Sequence, residues 1–118
     1  MHHAFRTITF QALAIAASAI AMTVVAVESR AVPAPAAAVV HIANFTFTQP
    51  VLTVHPGATV TWVNDDDIPH TVVDKNGSFK SKVLDTGDRF SFTFAKAGQF
   101  EYFCSIHPHM TGKIIVKA

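Results

Sequence analysis

The residues with the most distinctive chemistry lie near the C-terminus, in the stretch YFCSIHPHM at positions 102–110. It contains the only cysteine of the 118-residue chain, two histidines and a methionine. Cys104 precedes His107 by three residues and Met110 by six, and Pro108 stiffens the loop between them. A thiolate, imidazoles and a weak thioether form the ligand set of a mononuclear electron-transfer copper site. The stretch therefore predicts three of the four ligands of such a site.

A second imidazole has to come from elsewhere in the chain, and the candidates are His41, His55, His70 and His109. His70 is favoured, because it follows the turn DDDIP and is expected to begin a strand that holds its side chain rigidly. We expect His41 and His55 to be solvated surface residues. We expect His109 to face outward, since neighbours in an extended loop point in opposite directions. The predicted metal ligands are His70, Cys104, His107 and Met110.

The elements that must position these ligands have the two-residue period of β-strands. ATVTWVN at 58–64 places Val60 and Trp62 on one face, and RFSFTF at 89–94 places three phenylalanines on one face. Seven or eight such short stretches are separated by Gly, Pro and Asp turns, and none has a helical period. This pattern predicts an all-β fold, a Greek-key sandwich or barrel of seven or eight short strands.

The first part of the chain does not have this pattern. Residues 8–27 are uncharged and follow Arg6, which is typical of a secretory signal, although a retained segment of this length could also span a bilayer. The Pro/Ala-rich stretch that follows suits a linker or processing region. We therefore predict three parts: a signal peptide or membrane anchor at 1–31, a linker or processing region at 32–38 and a metal-binding domain at 39–118. The domain is expected to be periplasmic or otherwise exported, with residues 8–27 as its anchor if they are retained.

The composition of residues 39–118 excludes several classes of protein. Their seven basic and seven acidic residues balance, so the net charge of +1 belongs to the leader. No basic field is available for nucleic acid. A single cysteine cannot form a disulfide within the domain, and a bound metal would help to stabilise a core of this size. We expect a monomer that contacts a membrane only through its N-terminal segment.

Two motifs in this order, VTWVNDDDIPHTVV and YFCSIHPHMTGKIIV, resemble the cupredoxins, the type 1 blue copper proteins, and most closely their amicyanin-like and plastocyanin-like members. The resemblance covers residues 39–118. It implies a cupredoxin-like sandwich with one type 1 copper ion per chain. It also implies that His70, Cys104 and His107 are the equatorial ligands and that Met110 is the long axial ligand.

The chain departs from the family pattern after the first ligand histidine, where many members have asparagine and this chain has Thr71. We expect its hydroxyl to hydrogen-bond across to the ligand loop near Ser105. The domain also looks short at its N-terminal side, so one strand of the sandwich is expected either to be abbreviated or to be supplied by residues 32–40.

The resemblance implies a one-electron shuttle between Cu(I) and Cu(II) that docks transiently with redox proteins, such as a dehydrogenase or a c-type cytochrome. His107 would be the electron port, with Ile68, Pro69 and Pro108 around it. The acidic run 65–67 either steers a basic partner or is a solvated turn. The alternative function is an exported copper carrier or storage protein with the same ligands. Catalysis by Cys104 is disfavoured, because neither an orienting acid nor a substrate cleft is apparent, and we expect no enzyme activity.

Overall fold

The computed structural model describes residues 11–28 and 37–118. The chain divides into two units, Met1–Ala31 and Val32–Ala118. In the first unit, residues 11–28 form neither helix nor strand. No helix within the described residues is long and apolar enough to cross a membrane. Arg6 and most of the predicted linker lie outside the described residues, so the three-part division of the chain stays a prediction.

Within residues 37–118, the second unit contains eight strands in two four-stranded sheets. The strands are β1 (Ala37–Ala43), β2 (Thr46–Phe47), β3 (Val51–Val54), β4 (Ala58–Asn64), β5 (Val73–Asp74), β6 (Arg89–Phe94), β7 (Gly98–Phe103) and β8 (Thr111–Val116). One sheet has the order β2-β1-β4-β6 and the other β3-β8-β7-β5. The predicted all-β sandwich of seven or eight short strands is confirmed.

Each sheet combines parallel and antiparallel pairs. The parallel pairs are β1 with β4 and β3 with β8, and the other neighbours are antiparallel. The β1–β4 register runs from Ala37 opposite Thr59 to Ile42 opposite Asn64. Of the stretch 32–40, residues 37–40 contribute to the sandwich, since β1 begins at Ala37 and lies between β2 and β4.

The core between the sheets combines aliphatic and aromatic side chains, and β4 and β6 contribute to it from one face, as their two-residue period predicts. The Trp62 ring is fully buried, and its centroid lies 5.3 Å from that of Tyr102 and 5.5 Å from that of Phe79. Phe94 is also buried, while the exposed positions of β6 carry polar residues. Burial of one such side chain contributes about 1.5–3 kcal/mol to stability. The packed sheets thus provide a rigid base for the loops at their ends.

Tyr102 and Gly112 anchor the base of the loop between β7 and β8. The two residues are directly opposite each other in the β7–β8 pair. A Cβ atom on Gly112 would overlap the Cζ and Oη atoms of the Tyr102 ring, so the ring fits against the strand only because residue 112 is glycine. Desolvation raises the pKa of the buried Tyr102 hydroxyl to about 12. The packing of Tyr102 against Gly112 therefore holds together the ends of β7 and β8 that the cysteine-containing loop connects.

Candidate metal centre

The first segment of the site is the loop from Cys104 to Met110, which connects β7 to β8. The Cys104 N–H donates to the Met110 carbonyl at 3.1 Å, and the Met110 N–H donates to the His107 carbonyl at 2.9 Å. The loop is therefore closed on itself by its own backbone. Cys104 and Met110 are buried, whereas His107 is only partly buried and Pro108 is exposed.

The second segment contains His70, between β4 and β5. The expectation that His70 begins a strand was wrong, because β5 begins at Val73. His70 instead forms an isolated bridge with Leu84, with backbone hydrogen bonds of 3.1 and 2.8 Å. The strand cannot extend from His70, because the next N–H, that of Thr71, points to the Cys104 sulfur at 3.4 Å.

Asn64, at the end of β4, organises the turn that precedes His70. Its buried side-chain amide donates to the carbonyls of Ile68 and Leu84, both at 2.9 Å. Its Oδ1 atom accepts the Asp66 N–H at 3.0 Å. A buried amide with its donors and acceptor satisfied makes the turn rigid. Sequence reasoning missed this role, although an asparagine at a strand end before an acidic turn is a signal for one.

The two segments bring three predicted ligands together. The Nδ1 atoms of His70 and His107 each lie 3.8 Å from Cys104 Sγ, and the three donor atoms lie within 4.8 Å of one another. His70 and Cys104 are fully buried. One thiol and two imidazole nitrogens at this spacing could hold one metal ion, and sulfur with nitrogen donors suits copper or zinc.

The Cys104 sulfur lies in a setting that favours the thiolate. Burial by itself raises the pKa of the thiol, but hydrogen bonds from the Thr71 N–H, from His70 when its Nδ1 carries a hydrogen, and from His107 lower that pKa to about 6. The expected contact between Thr71 and Ser105 is present, since their hydroxyls lie 2.8 Å apart and the Ser105 N–H donates to Thr71 Oγ1 at 2.8 Å. Thr71 therefore connects the His70 segment to the ligand loop.

The three other candidate histidines, His41, His55 and His109, lie at the surface, as expected. His41 is exposed and pairs through Nδ1 with Asp65 at 2.6 Å. His55 is exposed and contacts the Lys117 carbonyl at 3.2 Å. His109 is exposed and is not part of the cluster of donor atoms.

Asp66 and Phe45 are the neighbours of the cluster that sequence reasoning missed. Asp66 Oδ2 lies 2.8 Å from His70 Nε2, and the same carboxylate accepts the N–H groups of Asn44 at 2.7 Å and Phe45 at 3.0 Å. Desolvation raises the pKa of Asp66, but these hydrogen bonds outweigh it and hold that pKa below its usual value. Asp66 therefore has a structural role in the acidic run, which neither the steering of a basic partner nor a solvated turn accounts for.

Several apolar side chains lie next to the partly buried His107 or adjoin the His70 segment and its bridge partner in the chain, and most of them are exposed. Phe45 is 46% exposed, and the centroid of its ring lies 5.0 Å from that of His107 in an edge arrangement. Ile106, in the ligand loop, is 47% exposed, and Val83 is 50% exposed beside the bridge partner of His70. Ile68 is partly buried, and Pro69 and Pro108 are exposed. We call Phe45, Ile68, Pro69, Val83, Ile106 and Pro108 the apolar rim.

Comparisons with known proteins give a consistent result. Residues 34–117 match the family described as copper binding proteins of the plastocyanin/azurin family. The chain is 38% identical over 91 residues to amicyanin of Paracoccus versutus, which covers 73% of this chain and 68% of the relative. It is 32% identical to amicyanin-alpha of Methylorubrum extorquens, over 95% of this chain and 99% of the relative.

Solved structures give the same result for the fold. An oxidised amicyanin with a proline-to-alanine substitution superposes with a TM-score of 0.65 at 36% identity, over 69% of this chain and 82% of that chain. A purple cupredoxin from Nitrosopumilus maritimus superposes with a TM-score of 0.63 at 34% identity, over 68% of this chain and 99% of that chain.

Proposed function

Because the chain belongs to the plastocyanin/azurin family of copper-binding proteins, whose cofactor is copper, we propose that it is an exported one-electron shuttle with a single type 1 copper ion. The observation that carries this proposal is the cluster of Cys104, His70 and His107, with donor atoms within 4.8 Å of one another. A preformed cluster of one thiol and two imidazoles matches the ligand set of an electron-transfer site.

We propose that His70, Cys104 and His107 would hold the copper ion as its main ligands and that the thioether of Met110 would be a weak fourth donor. Both imidazoles present Nδ1 to the sulfur, and the thiol favours its ionised form. For Met110 the support is its burial and its place at the end of the closed loop. When bound, copper supplies the one-electron couple. The residues supply a fixed arrangement, because two rigid segments joined by Thr71 leave little freedom to rearrange.

His107 is the group best placed to pass the electron. It is only partly buried, whereas the other two members of the cluster are fully enclosed. The apolar rim, in which Phe45 contacts His107, offers an apolar surface that suits brief contact with another protein, since transient redox interfaces are small. Transient redox partners are therefore expected, and a dehydrogenase or a c-type cytochrome is the class we propose.

The remaining parts of the proposal rest on the sequence. An uncharged segment at residues 8–27 supports export to the periplasm, with that segment either removed or retained as an anchor. The balanced charge of residues 39–118 supports a protein without a nucleic-acid partner. A monomer that transfers electrons without catalysing a reaction of its own fits a domain of this size.

The experiment that tests the shuttle compares redox cycling with copper retention. The full-length chain is loaded with copper, titrated through reduction and reoxidation, and then challenged with a Cu(I) or a Cu(II) chelator. A shuttle takes up one electron per chain reversibly and keeps its copper in both states. Fast loss of copper from both states would contradict the shuttle and favour the alternative, a copper carrier or storage protein.

A further inference from the structure

One carboxylate joins a ligand histidine to the turn between β1 and β2. We propose that Asp66 is a positioning residue of the metal centre, which fixes the orientation of His70 and holds Phe45 against the two ligand imidazoles. This inference rests on the proposed function, because it assumes that His70 and His107 are ligands. Under this proposal Asp66 affects the reduction potential of the site through His70, in addition to stabilising the turn between β1 and β2.

The first step concerns His70. Its imidazole has two nitrogens, and Nε2 lies 2.8 Å from Asp66 Oδ2 while Nδ1 lies 3.8 Å from Cys104 Sγ. An ionised carboxylate accepts only, so the hydrogen of a neutral His70 stays on Nε2 and the Nδ1 lone pair faces the cluster. A carboxylate behind a ligand imidazole fixes the tautomer and the ring orientation and makes the ligand more basic.

The second step concerns Phe45. Asn44 and Phe45 have φ values of 52° and 56°, in the left-handed region that is costly for a bulky residue. The N–H groups of both residues donate to the two Asp66 oxygens, at 2.7 and 3.0 Å. These bonds offset the strain and direct the Phe45 ring onto His70 and His107, with centroid distances of 5.6 and 5.0 Å.

The neighbouring aspartates show that this role is specific to one position of the run. Asp65 pairs with the exposed His41. Asp67 is exposed, and its side chain has no hydrogen-bond partner in the part of the chain that the structure describes. The Asp66 side chain, by contrast, is only 13% exposed. Asp67→Asn is therefore a matched control for Asp66→Asn, because it removes the same charge one residue away.

The test has one readout without copper and one with it. In the copper-free full-length chain, NMR is expected to find the hydrogen of neutral His70 on Nε2 and cross-peaks between the Phe45 and His107 rings. We expect Asp66→Asn to lose both this tautomer preference and the cross-peaks, and Asp67→Asn to retain both.

With copper, Asp66→Asn makes His70 a weaker donor to Cu(II). We expect the ratio of Cu(II) to Cu(I) affinity to fall about tenfold, which raises the potential by about 59 mV, and Asp67→Asn to shift it less.

The proposal is overturned if Asp66→Asn keeps the tautomer and the cross-peaks, or if both variants shift the potential equally. Should Asp66→Asn fail to fold, Asp66→Glu carries the same test, since it keeps the charge and displaces the carboxylate by one methylene. If Asp66→Glu keeps the cross-peaks and the reduction potential of the parent chain, the proposal is overturned. Weakened cross-peaks together with a rise in reduction potential of less than about 59 mV would support it. A parent chain that binds no copper contradicts the proposed function, while the copper-free readout still decides the role of Asp66.

Discussion

Thr71 donates its backbone N–H to the Cys104 sulfur at 3.4 Å, although the two residues are 33 positions apart. The Thr71 hydroxyl lies 2.8 Å from that of Ser105 and accepts the Ser105 N–H. Thr71, which follows the predicted ligand His70, is thus hydrogen-bonded to the predicted ligand Cys104 and to its neighbour Ser105. The alignment of the His70 segment with the ligand loop depends on these hydrogen bonds, and so does part of the free energy of unfolding.

The first prediction concerns the Thr71 hydroxyl. Thr71→Val keeps the shape of the side chain but removes the contact with Ser105, so we expect a loss of about 1 kcal/mol in the free energy of unfolding. Denaturant unfolding of the copper-free chain measures this loss. The matched control is Thr59→Val, which breaks an exposed hydroxyl pair with Thr93 and should cost less. Equal effects of the two substitutions would contradict a special role for Thr71.

The second prediction concerns the ionisation of Tyr102, the only tyrosine in the chain. Its pKa is raised to about 12 in the folded protein, whereas an unfolded chain ionises near its ordinary value of about 10. Between pH 10 and pH 12 the unfolded chain therefore loses a proton that the folded chain keeps. Stability should fall as the pH rises through this window. Ultraviolet titration follows the phenolate directly, and a folded-state pKa near 10 would show that the ring is solvated.

The third prediction concerns the fit of Gly112 against Tyr102. Gly112→Ala places a Cβ where the Tyr102 ring lies, and overpacking of this kind costs about 1–3 kcal/mol. Thermal unfolding of the copper-free chain measures the loss. In a Tyr102→Leu background the same change should cost less, because the overlapping atoms are gone. A purely additive double variant would argue against the contact.

The fourth prediction concerns the apolar rim. Ile106→Lys places a charge in this surface beside His107, so we expect electron self-exchange between reduced and oxidised copper forms to slow by about tenfold. Val51→Lys is the control, because Val51 is 61% exposed and lies on β3, outside the rim. NMR line broadening in mixed redox states measures the rate. Equal slowing in both variants would point to net charge and not to the rim.

The sequence predicted the fold class and the members of the donor cluster well. Alternation in β4 and β6 follows directly from burial of one face of each strand, so Trp62 and Phe94 could be assigned to the core. Cys104 and His107 could be assigned to the cluster because a short loop constrains their separation, whereas Met110 as a ligand stays a prediction. His70 could be selected since a histidine after a rigid turn is better fixed than one in a surface loop.

The contacts around the cluster could not be predicted, because they join segments that are distant in the chain. Nothing near Phe45 in sequence indicates that its N–H bonds to Asp66, 21 residues away. The strand expected at His70 failed for a similar reason, since the Thr71 N–H bonds to a sulfur atom and not to a neighbouring strand. Such contacts depend on how the two sheets and their loops are assembled.

The most direct test of the copper centre is the visible spectrum of the full-length chain after addition of Cu(II). We expect an intense charge-transfer band from the Cys104 thiolate to copper. The band should be absent in Cys104→Ala and His70→Ala and present in His109→Ala, which changes an exposed histidine of the same loop. A colourless parent protein, or a band that survives loss of Cys104, would contradict the assignment of a type 1 copper site.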